Sequence, residues 1–397
     1  MTIIIFLIIL GVLVFVHELG HFLFAKGAGV RVDEFGFGYP PRALKLGKKW
    51  GTLFSLNWIP FGGFVKIFGE NYDEEEDESF PSPQDQKSTD IFLLKNSSCS
   101  AQSASQGISD SRGSKNLPFT KVSKKWQASI LFAGIFFNIL FAWFLFSVGF
   151  LIGVPSPVDN DFGAEVKNPI LTVVGLVPEF PAQKAGLKTG DKVLNISLNN
   201  GKVLQNPTSE NVSDFINQSS GQINVQIDRG AKILDFKITP ETNTTSNKKI
   251  IGIEMDTIGT LKLPIHKAIY EGGRTTIRLS YLTVESIAGL IKGVLTGKAN
   301  ISEVTGPVGI VGLVGDASRL GFSYLLTFTA LISINLAVVN LVPFPALDGG
   351  RILFVAIEGI TRRKINPKVA NTLNTVGFTL LIIVMLIVTY RDILKLF

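Results

Sequence analysis

The sequence predicts a polytopic α-helical membrane protein with four transmembrane helices, a membrane-associated β-hairpin and an inserted mixed α/β domain. Three observations support this fold class. The chain of 397 residues is 46% hydrophobic and only 18% charged, which is more apolar than a typical soluble domain. Four long apolar segments alternate with polar ones. Basic residues cluster in loops beside the apolar segments, where the positive-inside rule predicts them, so the net charge of +6 does not indicate a nucleic-acid partner.

The first apolar segment runs from Ile3 to Ala25, and His17, Glu18 and His21 are its only ionisable residues. A helix of this length covers about 35 Å, enough to cross the bilayer core. We expect it to be retained rather than cleaved, since it lacks the basic start and short apolar run of a signal peptide. The segment therefore predicts a membrane helix with ionisable groups inside hydrocarbon, where such groups are costly unless they are paired, bound to a metal or face a water-filled cavity.

These three residues form an HExxH motif, HELGH. Two histidines four residues apart lie on one helix face with a glutamate beside them, which is the arrangement of two zinc ligands and a general base. The alternative is a pair of buried histidines without metal, which the cost of burial in lipid disfavours.

A β-hairpin is predicted after the first span. Val32–Gly38 and Leu53–Phe68 are rich in aromatic and β-branched residues, and we place the turn near residues 60–63, which include Gly62 and Gly63. An apolar hairpin beside a membrane site could pair with an extended substrate by strand addition, or could be purely structural.

Residues 71–118 change character abruptly, with consecutive acids at 73–78 followed by a serine-rich run. This composition predicts a disordered cytoplasmic insertion. The second span follows at Ser129–Val154, where Gly134 and Asn138 share a helix face. Asn138 could serve helix packing or face a catalytic cavity.

The long segment after the second span is predicted to fold outside the membrane. Residues Pro181–Ile196 indicate a short helix ending at Gly186, a turn and a strand, and Ile223–Arg229 and Leu234–Pro240 indicate further strands. This pattern resembles a PDZ domain of the circularly permuted kind found in bacterial proteases. The resemblance implies peptide binding at a sheet edge or control of access to the membrane site.

An amphipathic helix is predicted at Arg274–Gly297, with His266 in a loop before it. The third span, Gly321–Val342, ends at Pro343 and Pro345, which break the helix inside the membrane. Irregular backbone at that depth survives only where it lines a protein cavity. Arg351 and later basic residues predict a cytoplasmic loop, and Thr375–Thr389 a short fourth span.

Topology brings Asp348 into the same site. The first and third spans run in the same direction across the membrane. Because His17, His21 and Asp348 all lie near the inner ends of these spans, the three side chains should lie at a similar depth in the membrane. Two imidazoles and a carboxylate with an open fourth position form the ligand set of a catalytic zinc site. Glu18 would accept the proton of the attacking water.

Taken together, the motifs resemble the site-2 protease family of intramembrane zinc metalloproteases, in particular its bacterial regulator-of-sigma group with a single PDZ domain. The resemblance rests on HELGH, GGFVKI, GIFFN, GPVGI and NLVPFPALDG, which occur in the expected order. It implies Zn²⁺ bound by His17, His21 and Asp348, and Glu18 as the base. It also implies substrate contacts from Asn335, Asn340 and the hairpin. The chain departs from the family at Ile135, where proline is usual, and in having one PDZ domain where larger members have two.

The implied function is hydrolysis of peptide bonds within transmembrane segments of single-span membrane proteins, after a first extracytoplasmic cleavage by a site-1-type protease. Anti-sigma factors and signal-peptide remnants are the expected substrates. We expect a multi-pass plasma membrane protein with both termini and the PDZ domain extracytoplasmic, and the active site near the cytoplasmic side. The predicted layout is 1–70 for the first span and hairpin, 71–118 for the insertion, 119–155 for the second span, 160–258 for the PDZ domain, 259–320 for an amphipathic juxtamembrane region, and 321–397 for the third and fourth spans.

Two alternatives remain open from the sequence. One is an inactive scaffold that binds single-span proteins through its PDZ domain, although all four chemical residues are intact. The other is a different membrane zincin, such as a prenyl-protein endopeptidase, which should supply further ligands from Glu or His on other helices. The chain has no third intramembrane histidine, so Asp348 is the better candidate.

Overall fold

The computed structural model describes residues 1–70, 117–159, 162–199, 201–230, 232–242, 248–297 and 305–394. The predicted disordered insertion falls almost wholly outside these residues. The helices are α1 (Thr2–Gly27), α2 (Lys124–Ile152), α3 (Pro181–Lys184), α4 (Ser209–Asn217), α5 (Ile265–Leu295), α6 (Pro307–Leu320), α7 (Phe322–Leu341), α8 (Asp348–Thr361) and α9 (Pro367–Leu394). The strands are β1 (Val32–Lys49), β2 (Thr52–Ile67), β3 (Val154–Pro157), β4 (Val166–Leu176), β5 (Lys192–Leu198), β6 (Val203–Leu204), β7 (Ile223–Arg229), β8 (Lys232–Ile238), β9 (Glu241–Thr242), β10 (Lys249–Ile250) and β11 (Ile253–Leu261).

Within the described residues, α1, α2, α7 and α9 are long and apolar enough to cross a membrane. This confirms the prediction of a four-span, multi-pass membrane protein. The fourth helix is longer than predicted, since α9 spans Pro367–Leu394 rather than residues 375–389. Its polar residues do not end the helix because they have partners: Asn374 Oδ1 accepts a hydrogen bond from the backbone of Ala346, and Asp392 Oδ2 from that of Gly309.

The chain divides into two compact units. The HExxH unit comprises Val14–Ile135 and Asn340–Leu381, and the insert unit comprises Met1–Leu13, Phe136–Val339 and Ile382–Phe397.

A two-stranded ribbon formed by β1 and β2 belongs to the HExxH unit. Its turn is at Trp50 and Gly51, with φ of 53° and 76°, as a two-residue type I′ hairpin requires. The prediction that residues 60–63 form the hairpin turn is wrong, although the chain does reverse direction there, since residues 53–56 run parallel to 34–37 and residues 63–66 run antiparallel to them. Those residues lie inside β2, where Gly62 has φ of 83° and the ladder is irregular, so the Pro and Gly signal marks a bend within a strand.

The ribbon is folded back on itself. Residues 34–37 of β1 have partners in both 53–56 and 63–66 of β2, so that Gly36 lies opposite Phe64 and also opposite Ser55. Glu34 stabilises this arrangement by accepting hydrogen bonds from Arg42 at 2.6 Å and from Ser55 at 2.5 Å. Burial opposes ionisation of Glu34, but these donors outweigh it and hold its pKa below the usual range.

The core of the HExxH unit joins its helices to the ribbon. Phe22 of α1 packs edge-to-face on Phe35 and on Phe54, with ring centroids 5.5 and 5.8 Å apart. Buried Ile130 of α2 and Val355 of α8 belong to the same cluster. The histidine-bearing half of α1 is therefore fixed by packing against several elements.

The insert unit carries a seven-stranded antiparallel sheet with strand order β3-β11-β4-β5-β7-β8 and β6 paired with β5. Helices α3 and α4 accompany it, and alternate residues of β7, namely Ile223, Val225 and Ile227, are fully buried. An inserted mixed α/β domain is thus present, as predicted. Its entry strand β3 and exit strand β11 pair with each other, so the domain begins and ends at one edge region of the sheet.

An ion pair connects the turn that precedes β5 to the end of β7. Asp191 is 1% exposed, and its carboxylate accepts hydrogen bonds of 2.6 Å from both Nε and Nη2 of Arg229. The hydrogen bond from Arg229 to Asp191 raises the pKa of the guanidinium group, although burial opposes the rise. Arg229 also donates to the carbonyl of Gly186, so it ties the end of the α3 turn to β7.

The amphipathic helix begins earlier than predicted. α5 starts at Ile265 after Pro264, so His266 lies in its first turn, and the prediction of a loop there is wrong. Proline favours the start of a helix, where its missing N–H group is not needed. Ile277 and Tyr281 of α5 are 72% and 68% exposed, as an apolar face directed at lipid would be.

Candidate metal and catalytic site

The two histidines of HELGH lie one turn apart on α1, and both are 7% exposed. Their rings are nearly perpendicular, with centroids 4.8 Å apart. The two Nε2 atoms face each other at 3.2 Å. The spacing of four residues in a helix therefore directs two imidazole nitrogens to one point.

Asp348 reaches the same point through a tight return of the chain after α7. Pro343 and Pro345 prevent the helix from continuing, Ala346 adopts φ of 75°, and α8 begins at Asp348. The two glycines that follow make this return possible. A Cβ atom at Gly349 would lie 2.3 Å from the carbonyl oxygen of Val342, and one at Gly350 would lie 2.2 Å from that of Phe344.

The carboxylate and the imidazoles converge. Oδ2 of Asp348 lies 3.0 Å from Nε2 of His17 and 3.4 Å from Nε2 of His21. Tetrahedral zinc, with bonds of about 2.0 to 2.1 Å, separates its ligand atoms by about 3.3 Å. Among the described residues, Asp348 Oδ2 is buried without a partner of good hydrogen-bond geometry. The three groups therefore fit a zinc ion in spacing and in donor chemistry.

Helix α2 fixes the orientation of His21. Its Nδ1 lies 2.8 Å from the carbonyl oxygen of Ile130, so Nδ1 carries the proton and donates it, and the Nε2 lone pair is left for a metal. Gly134, one turn further along α2, makes room for the rings. A Cβ atom there would lie 2.4 Å from Nε2 of His21 and 2.7 Å from Cε1 of His17.

A cavity of about 450 Å³ opens beside these groups. It is lined by His17, Glu18, His21 and Asp348, and by residues 63–67 of β2. Glu18 lies against this strand, since a Cβ atom at Gly63 would be 3.6 Å from its Cγ. The expected base, the expected ligands and a strand thus share one cavity.

The strand segment 63–67 lies at an edge of the described ribbon. It pairs with residues 32–37 of β1, and no other described strand pairs with it. The edge of this segment can therefore accept an extended peptide, whose side chains would extend over the cavity.

The residues expected to contact substrate are placed differently. Gly63 lines the cavity, whereas Gly62 is buried and is not a lining residue, and a Cβ atom there would lie 2.9 Å from the ring of Tyr39. Asn340 is half-buried near the end of α7 and is not among the lining residues. The other two amides belong to the insert unit: Asn138 is fully buried and its carbonyl accepts a hydrogen bond from Ser333, and Asn335 is exposed.

Sequence reasoning missed two charged residues that line the cavity, Glu70 and Arg351, which form an ion pair. Arg351 was expected in a cytoplasmic loop, and that expectation is wrong, because it lies in the first turn of α8. The signal that could have found it is its spacing of three residues from Asp348, once a helix is assumed to begin there.

Comparison with known proteins gives a consistent result. The family model described as Peptidase family M50 matches residues 5–384. The chain is 30% identical to the zinc metalloprotease RasP of Geobacillus kaustophilus over 444 aligned residues, covering 100% of this chain and 98% of that one. It is also 30% identical to the regulator of sigma-W protease RasP of Bacillus subtilis over 439 residues, covering 100% and 99%. The chain therefore belongs to peptidase family M50, the site-2 protease family, and is a membrane zinc metalloprotease.

Proposed function

We propose that this metalloprotease hydrolyses peptide bonds within the transmembrane segments of single-span membrane proteins. The observation that carries the proposal is the position of the His17, His21 and Asp348 cluster. Two of its members lie on a helix long enough to cross a membrane, and the cluster opens into a cavity bordered by a strand edge without a described partner.

In this proposal His17, His21 and Asp348 hold the zinc ion and Glu18 is the general base. A bound zinc ion supplies a Lewis acid that polarises the scissile carbonyl group. Glu18 accepts a proton from the attacking water and passes it to the leaving amide nitrogen. Ile130 keeps His21 in the required tautomer, and Gly134 keeps the space that both rings occupy.

The substrate segment must unwind before it can be cut, because a membrane helix keeps its carbonyl groups within its own hydrogen bonds. The edge at residues 63–67 would receive the released backbone groups by strand addition, with Gly62 and Gly63 allowing close approach. We also propose substrate contacts for the amide side chains of Asn138, Asn335 and Asn340.

The proposed setting is the plasma membrane, with both termini and the 160–258 domain outside and the active site near the cytoplasmic side. The basic residues that follow α1, those that precede α2 and those between α8 and α9 support this orientation. The other proposed regions are the first span and hairpin at 1–70, the insertion at 71–118, the second span at 119–155, the amphipathic juxtamembrane region at 259–320, and the third and fourth spans at 321–397. The Bacillus subtilis relative is named a regulator of sigma-W protease, which supports anti-sigma proteins as substrates here, cut first by a site-1-type protease. Signal-peptide remnants are a second proposed substrate class.

The test is co-expression of the protein with truncated single-span proteins. Wild type should release a fragment cut within the membrane segment, whereas Glu18→Gln should abolish release and keep its zinc. Glu210→Gln, an exposed change on α4, is the matched control and should cleave normally. Release that continues with Glu18→Gln would refute the role of Glu18, and cleavage only outside the membrane segment would refute the proposed substrate class.

A further inference from the structure

Glu70 and Arg351 form an ion pair at the border of two cavities. Both residues line the active-site cavity and also a smaller neighbouring cavity of about 40 Å³ that contains Asn371 and Asn374. Their side chains are 15% and 38% exposed, so the pair is partly withdrawn from water. Charge-assisted hydrogen bonds in such surroundings are stronger than on an open surface.

On one side the pair holds the first turn of α8. Arg351 follows Asp348 by three residues, so the two side chains project from the same helix face. The backbone N–H group of Arg351 donates to the carbonyl of Leu347 at 3.2 Å, which places its Cα in the first turn. Leu347, the residue before α8, makes no side-chain hydrogen bond that would cap this turn. The contact of the Arg351 guanidinium group with Glu70 therefore restrains the rotation of the turn, and with it the position of the Asp348 carboxylate.

On the other side the pair holds the end of β2. The N–H group of Glu70 donates to the carbonyl of Ile67 at 3.3 Å, so a tight turn joins Glu70 to the strand. Gly69 has φ of 72°, and a Cβ atom there would lie 2.8 Å from that of Pro118. The N–H group of Phe68 donates to the carbonyl of Arg31 at 2.9 Å. Glu70 is therefore tied to the strand segment 63–67 by a tight turn.

We propose that the Glu70–Arg351 ion pair is a positioning element that couples this strand edge to the aspartate of the metal site. Neither side chain is assigned a chemical step. The inference rests on the proposed function, since it takes Asp348 as a zinc ligand and residues 63–67 as the substrate edge. Its consequence is that zinc affinity and substrate binding should change together when the pair is broken.

The experiment compares Glu70→Gln, Arg351→Met and the double variant with wild type, in the full-length protein in detergent. Zinc affinity is measured by competition with a chelator, and kcat and KM on a truncated single-span substrate. Each single variant should bind zinc about 10-fold more weakly, as changes of groups that orient metal ligands typically do. Each should also raise KM, and the double variant should lose no more than the worse single variant, because the two residues act as one unit.

Arg363→Met is the matched control, since Arg363 is exposed, lies beyond the same helix and makes no ion pair with a described residue. Arg351→Lys keeps a cation and should recover part of the zinc affinity and part of the increase in KM. It also replaces Arg351→Met in the comparison if that variant does not fold. Zinc affinity within twofold of wild type in both single variants, or strictly additive losses in the double variant, would overturn the inference. Asp348→Ala separates the two proposals: unchanged zinc affinity there refutes the ligand assignment itself, whatever the ion pair does.

Discussion

Replacing Gly134 with alanine should disable the metal site although no ligand residue is changed. The added Cβ atom would lie 2.4 Å from Nε2 of His21, whereas ordinary contacts begin near 3.4 Å, so about 1 Å of displacement is required. His21 cannot simply rotate away, because Nδ1 is held by the carbonyl of Ile130 at 2.8 Å. Overpacking of this kind costs about 1 to 3 kcal/mol, and a misplacement of 1 Å at a catalytic group costs roughly 100-fold in rate.

The assay is cleavage of a co-expressed single-span substrate, with zinc content measured on the purified protein. We expect Gly134→Ala to lose about 100-fold in cleavage rate and to hold zinc at least 10-fold more weakly. Gly359→Ala is the control, since Gly359 lies in α8 and a Cβ atom there meets nothing within 4 Å.

Cleavage and zinc content equal to wild type in Gly134→Ala would refute the reasoning. It would mean that the histidines can shift without consequence, or that they do not bind the metal. A similar loss in Gly359→Ala would instead indicate a general intolerance of helix glycines to substitution.

Three further predictions concern stability. Asp191→Asn removes the charge of a buried carboxylate paired with Arg229, which should destabilise the inserted domain by about 3 kcal/mol, seen as faster limited proteolysis between β4 and β11 of the full-length protein. Asp392→Ala removes the acceptor of the Gly309 N–H group at the start of α6, which should cost about 1 kcal/mol and lower the thermal unfolding midpoint, whereas Asp392→Asn should retain most of it. Because the folded pKa of Glu34 is lowered, its contribution to the ribbon is complete above its unfolded pKa and is lost as pH falls through the folded value. The protection factors of the ribbon amides, which are the intrinsic exchange rates relative to the observed rates at the same pH, should therefore fall only in acid, and Glu34→Gln should remove this dependence; a fall in protection above pH 6 would contradict the assignment.

The membrane helices could be predicted from sequence because their signal is local. A span needs only an apolar run of sufficient length, and all four runs gave helices. The ends were less predictable, as α9 shows. Asn374 and Asp392 lie just outside the predicted span, and each has a hydrogen-bond partner far away in sequence. Partners at that separation leave no trace in the local pattern.

The ribbon shows the same limit for turns. Glycine and proline at residues 60–63 are a strong turn signal, whereas Trp50 before Gly51 is an unusual residue at positive φ. The true turn was missed because its signal was weaker than that of the bend within β2. The choice is made by the pairing of β1 with both halves of β2, which is a tertiary effect.

The geometry of the metal cluster was accessible because its parts are short-range motifs. Four residues separate His17 from His21, and the proline-broken end of the third span indicated where Asp348 would lie. The hydrogen bond to the Ile130 carbonyl and the space at Gly134 could not be predicted from the sequence, since every residue has a carbonyl group and a glycine can serve many purposes. The predicted roles of the amide side chains stay predictions.

The hydrogen bond from Phe119 N–H to the Phe68 carbonyl, 2.8 Å long, brings the two sides of the 71–116 segment together. Because the two ends of an insertion at this junction are close together, a change in its length should have little effect on β2 or α2. The entropy cost of closing a loop grows only slowly with its length. This junction is therefore a natural place for an epitope, a fluorescent reporter or a short replacement linker. Genetic variation could likewise lengthen or shorten the chain here while leaving the sheet register alone.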